Sequence, residues 1–195
     1  MAEKVFDRAT LDLALKELGR RACAAGKIVE IAIYGGCAVM LTFDSRSATK
    51  DVDAVFEKDK DFVRRIAAQV AEDFGWDENW LNDGVKGWLS GAEADPASKV
   101  FLGSYPSEDR PGLRVFVPRP EYLFAMKCRA MRIGGTAGSE DVEDIRRLAK
   151  AIGIKDAQQA LDLVQEFYPR QRPKTQVGLE EIFSKLDQGG SRGRG

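Results

Sequence analysis

The chain has 195 residues, with 30 Lys and Arg balanced against 31 Asp and Glu for a formal net charge of −1, and 44% of its residues are hydrophobic. That length and apolar content suit one domain with a sizeable core and a small helical appendage, while the near-neutral balance means that attraction to a polyanion has to come from a local patch. Histidine is absent, which excludes Ser–His and Cys–His catalysis, histidine-ligated metals and imidazole acid–base chemistry, leaving carboxylates, lysine, hydroxyls or an oxygen-bound metal.

In chain order, Leu11, Leu15, Leu18 and Ala22 recur at helical spacing, predicting a helix over Thr10–Ala25 with Thr10 as N-cap and Gly26 as stop. Ile28–Tyr34 is β-branched and short, a strand; Gly35-Gly36 follows, then a short apolar helix Cys37–Phe43, a polar loop Asp44–Lys50 and a second strand Asp51–Phe56. Phe62, Ile66, Val70 and Phe74 mark a helix over Asp61–Phe74. Gly75–Gly91 holds all three tryptophans and reads as short helical pieces and turns. Ser98–Gly103 and Gly112–Val117 read as strands, completing one sheet of about four strands.

Pro120 opens a helix Glu121–Ile133, Gly134–Gly138 is a flexible break, and Ser139 caps a helix Glu140–Ile152 with an acidic first turn. Asp156–Phe167 and Leu179–Leu186 are further helices, separated by a linker rich in Pro and Arg. The expected fold class is α/β (α+β), a small mixed sheet flanked by helices with a C-terminal helical extension. Its expected division is a core over 1–133, a helical region 139–187 packed on it, and a disordered tail 188–195. Cys23, Cys37 and Cys128 are odd in number and widely spaced, as expected of reduced thiols in a cytoplasmic protein. No apolar run is long enough to span a bilayer, so no membrane partner is expected.

The chemistry concentrates in two places. Asp51 and Asp53 are two apart on a strand, so both carboxylates face one side with Cα atoms about 7 Å apart. Such a pair is either solvated or neutralised by a cation, and Mg²⁺ suits paired carboxylates that also hold substrate phosphates. Gly35-Gly36 between strand and helix is either a tight turn or a phosphate cradle at a helix N-terminus. Farther on, Lys127 projects from an apolar helix stripe with Leu123, Phe124, Ala130 and Met131. On the next helix Asp141 falls in the middle of the face defined by Val142, Ile145, Leu148 and Ile152, and Asp144 falls on its edge. Lys127 with Asp141 is either a structural ion pair or part of a site.

Strand, Gly-Gly, helix and a strand bearing D-x-D together resemble the nucleotidyltransferase superfamily that includes polymerase β. Arg46 and Thr49 in SRSATKDVD, with the Lys127 helix and SEDVEDIRRL after it, resemble the AbiEii-like bacterial toxin branch, although the Arg–Thr spacing is one residue longer. The resemblance covers residues 28–150 in patches. It implies Asp51 and Asp53 as ligands of Mg²⁺ or Mn²⁺, and Gly35, Gly36, Arg46, Thr49 and Lys127 as contacts of an NTP. Asp141 would complete the acidic site, and Asp144 is a possible further member. The superfamily's usual third strand aspartate has no counterpart in Leu113–Val117. The implied reaction is transfer of NMP to an acceptor hydroxyl, most readily an RNA such as the tRNA 3′ end, by a toxin paired with an antitoxin protein.

Basic residues at Arg114, Arg119, Lys127, Arg129, Arg132, Arg170, Arg172, Lys174, Arg192 and Arg194 offer a patch for an RNA backbone or a solvated face. Two other functions fit the residues. One is a nucleotidyltransferase acting on a partner protein or a cationic small molecule of the aminoglycoside kind, with Asp77, Glu78 and Asp83 near its acceptor. The other is a non-catalytic domain of the same fold that binds partners through the Trp-rich segment 76–88.

Overall fold

The computed structural model describes residues 5–43, 48–56, 58–131, 135–170 and 173–190; for 135–139 and 185–190 it describes the backbone. The protein is a mixed α/β fold with one five-stranded sheet, and it divides into two compact units, 1–87 with 96–118 and 88–95 with 119–195.

The first unit opens with helix α1, Arg8–Ala24. Its N-cap is Asp7, earlier than the expected Thr10: the Asp7 carboxylate accepts the Thr10 N–H at 2.8 Å, and that bond holds its pKa below the usual carboxylate range. Gly26, past the end, takes the left-handed conformation (φ 68°) expected of a helix stop. Strand β1 (Val29–Ile33) leads through Tyr34 into helix α2 (Gly35–Phe43), so the glycine pair is the first turn of the helix itself. Strand β2 (Val52–Val55), helix α3 (Lys60–Phe74), the two-residue strand β3 (Leu81–Asn82), strand β4 (Lys99–Pro106) and strand β5 (Pro111–Pro118) complete the unit.

The sheet order is β3-β2-β1-β5-β4. β1 runs antiparallel to β2 and parallel to β5, β2 is parallel to β3, and β4 and β5 form an antiparallel hairpin. Alternation sends Ile31, Ile33, Val52, Ala54, Leu113 and Val115 into the core, all buried. α1 packs on the β4–β5 hairpin through a glycine contact. A Cβ on Gly112 would stand 2.0 Å from the Gly19 carbonyl oxygen, and one on Gly19 would stand 2.4 Å from that of Tyr105. A satellite cluster joins the chain start to the end of α3: Phe6 stacks on Trp80 at 5.5 Å, and Trp76 meets both edge-on.

β3 is the strand missing from the sequence expectation, which placed only turns and helical pieces there. It is anchored by Trp80, whose ring is 1% exposed, whose indole N–H is donated to Ala67 at 3.0 Å and whose carbonyl accepts the Val52 N–H at 2.7 Å.

The second unit is helical: α4 (Pro120–Ala130), α5 (Gly135–Ile152), α6 (Ala157–Phe167) and α7 (Pro173–Gly190). α4 packs against α5 and α6, so the division falls after Pro118 and not after residue 133. α5 begins at Gly135, which places Ser139 inside the helix, not at its cap, and extends helix through most of the expected break. Asp156 caps α6 by accepting the Gln159 N–H at 2.8 Å. α7 runs to Gly190, so 188–190 are helical; residues 191–195 of the expected disordered tail lie outside the described residues. Tyr122 stacks on Phe167 at 5.1 Å and accepts the Ser90 N–H, while the Tyr168 hydroxyl donates to the Trp88 carbonyl at 2.6 Å. Among the described residues no helix is long and apolar enough to cross a membrane.

Candidate functional site

In the first unit the glycine pair and the aspartate pair, separated in sequence by a helix and a loop, meet. The Tyr34 N–H is donated to the Asp53 carbonyl at 2.8 Å, which brings the start of α2 beside β2. Gly35 has φ 62°, and a Cβ there would lie 2.8 Å from Asp53 Oδ2. Both constraints select glycine: the left-handed backbone and the carboxylate packed against its Cα. The first turn of α2, where backbone N–H groups lack helical acceptors, therefore starts at the Asp53 carboxylate.

Asp51 is exposed and stands just before β2. Its carbonyl is the acceptor for two side chains, Thr49 Oγ1 at 3.3 Å and Cys37 Sγ at 3.4 Å. Thr49 is itself buried and pairs with Phe6 through both backbone hydrogen bonds. Thr49 thus fixes the chain that presents Asp51, a contact different from the nucleotide contact that the resemblance implies. Arg46 lies outside the described residues.

The pairing of Asp53 with Asn82 on β3 puts a third polar side chain on the same face, and Asn82 Nδ2 reaches Asp51 Oδ2 at 3.4 Å. Sequence reasoning missed Asn82. Its signal, the Asn-Asp-Gly at 82–84, reads as a turn.

Asp51 and Asp53 offer oxygen donors alone. Among the described residues no group of three or more His, Cys, Asp or Glu is placed to hold a metal ion. Two carboxylates fit Mg²⁺, which keeps several waters and is completed by substrate phosphates; they do not make an all-protein cage.

Farther along the same sheet face lies a cleft of about 460 Å³. Val55 follows Asp53 on that face and pairs with Ala32, which pairs with Phe116, and all three line the cleft. Its charged lining is Lys58, Lys99 and Arg114 with Glu30 and Asp59. Arg114 pairs with Glu30 at 3.4 Å, and Asp59 with Lys27 at 2.5 Å. The β5 positions on this face are Arg114 and Phe116, so the strand beside β1 brings no third carboxylate.

In the second unit Lys127 Nζ lies 2.7 Å from Asp144 Oδ2 and 3.7 Å from Asp141 Oδ1. The side chains are 11%, 2% and 10% exposed, respectively. Lys127 and Asp141 thus meet in a three-member buried ion cluster, in which Asp144 is the closer acid.

Arg129 lies 4.6 Å from the Tyr168 ring centroid, a cation–π contact. Arg132, Arg172, Arg192 and Arg194 lie outside the described residues. Asp83 pairs with Lys86 and, at 3.1 Å, with Arg64; the Lys86 hydrogen bond is the main reason its pKa is lowered. That pairing weakens it as attraction for a cationic acceptor. Of the tryptophans proposed as a binding surface, Trp80 is buried and Trp76 packs on Phe74 and Phe6.

No family model matches the chain, and no curated protein or solved structure matches it either.

Proposed function

We propose that the first unit is a metal-dependent nucleotidyltransferase that moves NMP from an NTP to an acceptor hydroxyl. The observation that carries the reading is the contact of the Asp53 carboxylate with Gly35 at the first turn of α2. It joins an oxygen-donor pair to a helix N-terminus, two features that both favour a triphosphate with its divalent cation. Mg²⁺, or Mn²⁺, supplies charge neutralisation for the phosphates when bound, and Asp51 and Asp53 are the residues that would hold it. The Gly35-Gly36 backbone binds phosphate oxygens. Thr49 and Cys37 hold the Asp51 backbone in place. Catalysis of this kind is positioning and electrostatic stabilisation, so the lack of histidine is no obstacle.

The acceptor class rests on the resemblance to toxin enzymes: an RNA, with the tRNA 3′ end first, in a chain acting as the toxin of a toxin–antitoxin pair. The cleft beside Asp53, lined by the aromatic Phe116 and by Lys58, Lys99 and Arg114 together with Glu30 and Asp59, is suitable ground for a terminal nucleotide. Lys127 as a triphosphate contact, with Asp141 and Asp144 completing the acidic site, remains what the resemblance implies. The test is incubation of the purified chain with each labelled NTP, Mg²⁺ and total tRNA. Label enters RNA with the native chain and is lost, by at least about a hundredfold, with Asp51→Asn or Asp53→Asn. Absence of RNA labelling with all four nucleotides removes the RNA reading, and labelling that survives both substitutions removes the site.

A further inference from the structure

We propose that Asn82 is a positioning residue that orients the Asp51 carboxylate toward the divalent cation. This inference rests on the reading of Asp51 and Asp53 as the cation's ligands.

Asp51 precedes β2, so the sheet ladder does not fix it; its carboxylate needs another support. Asn82 sits where it can supply one. β3 pairs in register with β2, Val52 with Leu81 and Asp53 with Asn82. Leu81 is buried, so alternation turns Asn82 to the face that carries Asp53. The anchor of β3 is rigid, because Trp80 is locked at both its indole N–H and its carbonyl.

The orientation of the amide follows from its neighbours. The Gly84 N–H is donated to Asn82 Oδ1 at 2.9 Å, which only an oxygen accepts. Nδ2 is therefore the end that faces Asp51, and it donates to Oδ2 at 3.4 Å. A donor on Oδ2 restrains carboxylate rotation and leaves Oδ1 as the oxygen with free lone pairs on that side. Outer-shell donors of this kind orient metal-binding carboxylates and typically change affinity by about 10–100-fold when removed.

A purely structural role for Asn82 would be the turn closed by Gly84 alone. Serine separates the two roles. Its hydroxyl accepts the Gly84 N–H in the same kind of turn, yet it has no amide to reach Asp51. The experiment compares the native chain, Asn82→Ser, Asn82→Ala and Asp51→Asn. Free Mn²⁺ is titrated by electron paramagnetic resonance, thermal unfolding is followed without metal, and NTP transfer is measured against Mg²⁺ concentration. The expected result is native-like melting for Asn82→Ser with Mn²⁺ affinity weakened about tenfold. Its transfer is restored by raised Mg²⁺, whereas that of Asp51→Asn is not.

Native Mn²⁺ affinity in Asn82→Ser, with binding lost in Asp51→Asn, overturns the role of Asn82 and leaves the metal site standing. Failure of the native chain to bind Mn²⁺ any better than Asp51→Asn overturns both. Weakened affinity that is matched by a lowered melting point in Asn82→Ser, without rescue by Mg²⁺, assigns Asn82 to the fold and overturns the proposal.

Discussion

The ion cluster of the second unit makes a quantitative claim about stability. Lys127 stands between two carboxylates, at 2.7 Å from Asp144 and 3.7 Å from Asp141, with all three side chains at 11% exposure or less. Lys127→Met keeps the length of the stem and takes the ammonium away from both acids. Removing one partner of a buried ion pair costs about 3–5 kcal/mol, most of it the burial of an uncompensated charge. Asp144→Asn and Asp141→Asn are milder, because each leaves one acid facing the lysine. The more distant Asp141 is the mildest of the three. The assay is urea unfolding followed by far-UV circular dichroism. With a slope of about 2 kcal/mol per molar, Lys127→Met moves the midpoint of this unit down by about 1.5–2.5 M. The double variant Lys127→Met/Asp144→Asn recovers part of that loss, since it removes the charge of one of the two buried carboxylates that the lysine faces. A shift under about 0.5 M for Lys127→Met, or a larger one for Asp141→Asn, refutes the claim that Lys127 holds the acids in place.

Two other substitutions test the first unit. Gly35→Ala forces a side chain into a left-handed backbone, at about 1–2 kcal/mol, and pushes against Asp53 Oδ2. Both lowered stability and weaker Mn²⁺ binding are expected, and a variant with native melting and binding contradicts the close approach. Gly112→Ala sets a methyl 2.0 Å from the Gly19 carbonyl, so α1 must lift from the β4–β5 hairpin. Overpacking typically costs about 1–3 kcal/mol, and here the clash is with backbone that cannot rotate away, so the upper end applies. A melting curve unchanged by Gly112→Ala refutes the packing of α1 on the hairpin.

Much of the fold was legible because it rests on periodicity. Phe62, Ile66, Val70 and Phe74 repeat at helical spacing, and α3 follows them; the strands expected over Ile28–Tyr34 and Gly112–Val117 became β1 and β5 with small shifts at their ends. β3 was not legible, because a two-residue strand has no alternation to show and its Asn-Asp-Gly sequel has turn composition. Asn82 escaped notice for the same reason: its meaning comes from its register opposite Asp53, and register is not written in either strand alone. The grouping of α4 with the C-terminal helices was hidden too, since a helix's own apolar stripe does not name the element that covers it.

Lys127, Asp141 and Asp144 show where the limit of pattern reading lies. Each acid or base on an apolar helix stripe demands a partner, and the demand was readable from 3.6-residue spacing. The ranking of the two acids was not. The helical wheel centres Asp141 on the buried face and leaves Asp144 at the edge, yet Asp144 is the more deeply buried and the nearer to the lysine. A wheel orders positions by their apolar neighbours on one helix. A carboxylate is drawn in by the cation it faces, and the place of that cation is fixed by how α4 packs on α5. The same physics governs Asp51 and Asp53. Their spacing announces two neighbouring carboxylates, either solvated or neutralised by a cation, whereas what surrounds Asp51 comes from elsewhere: Thr49 and Cys37 reach its carbonyl and Asn82 its carboxylate, from a loop, a helix and a neighbouring strand.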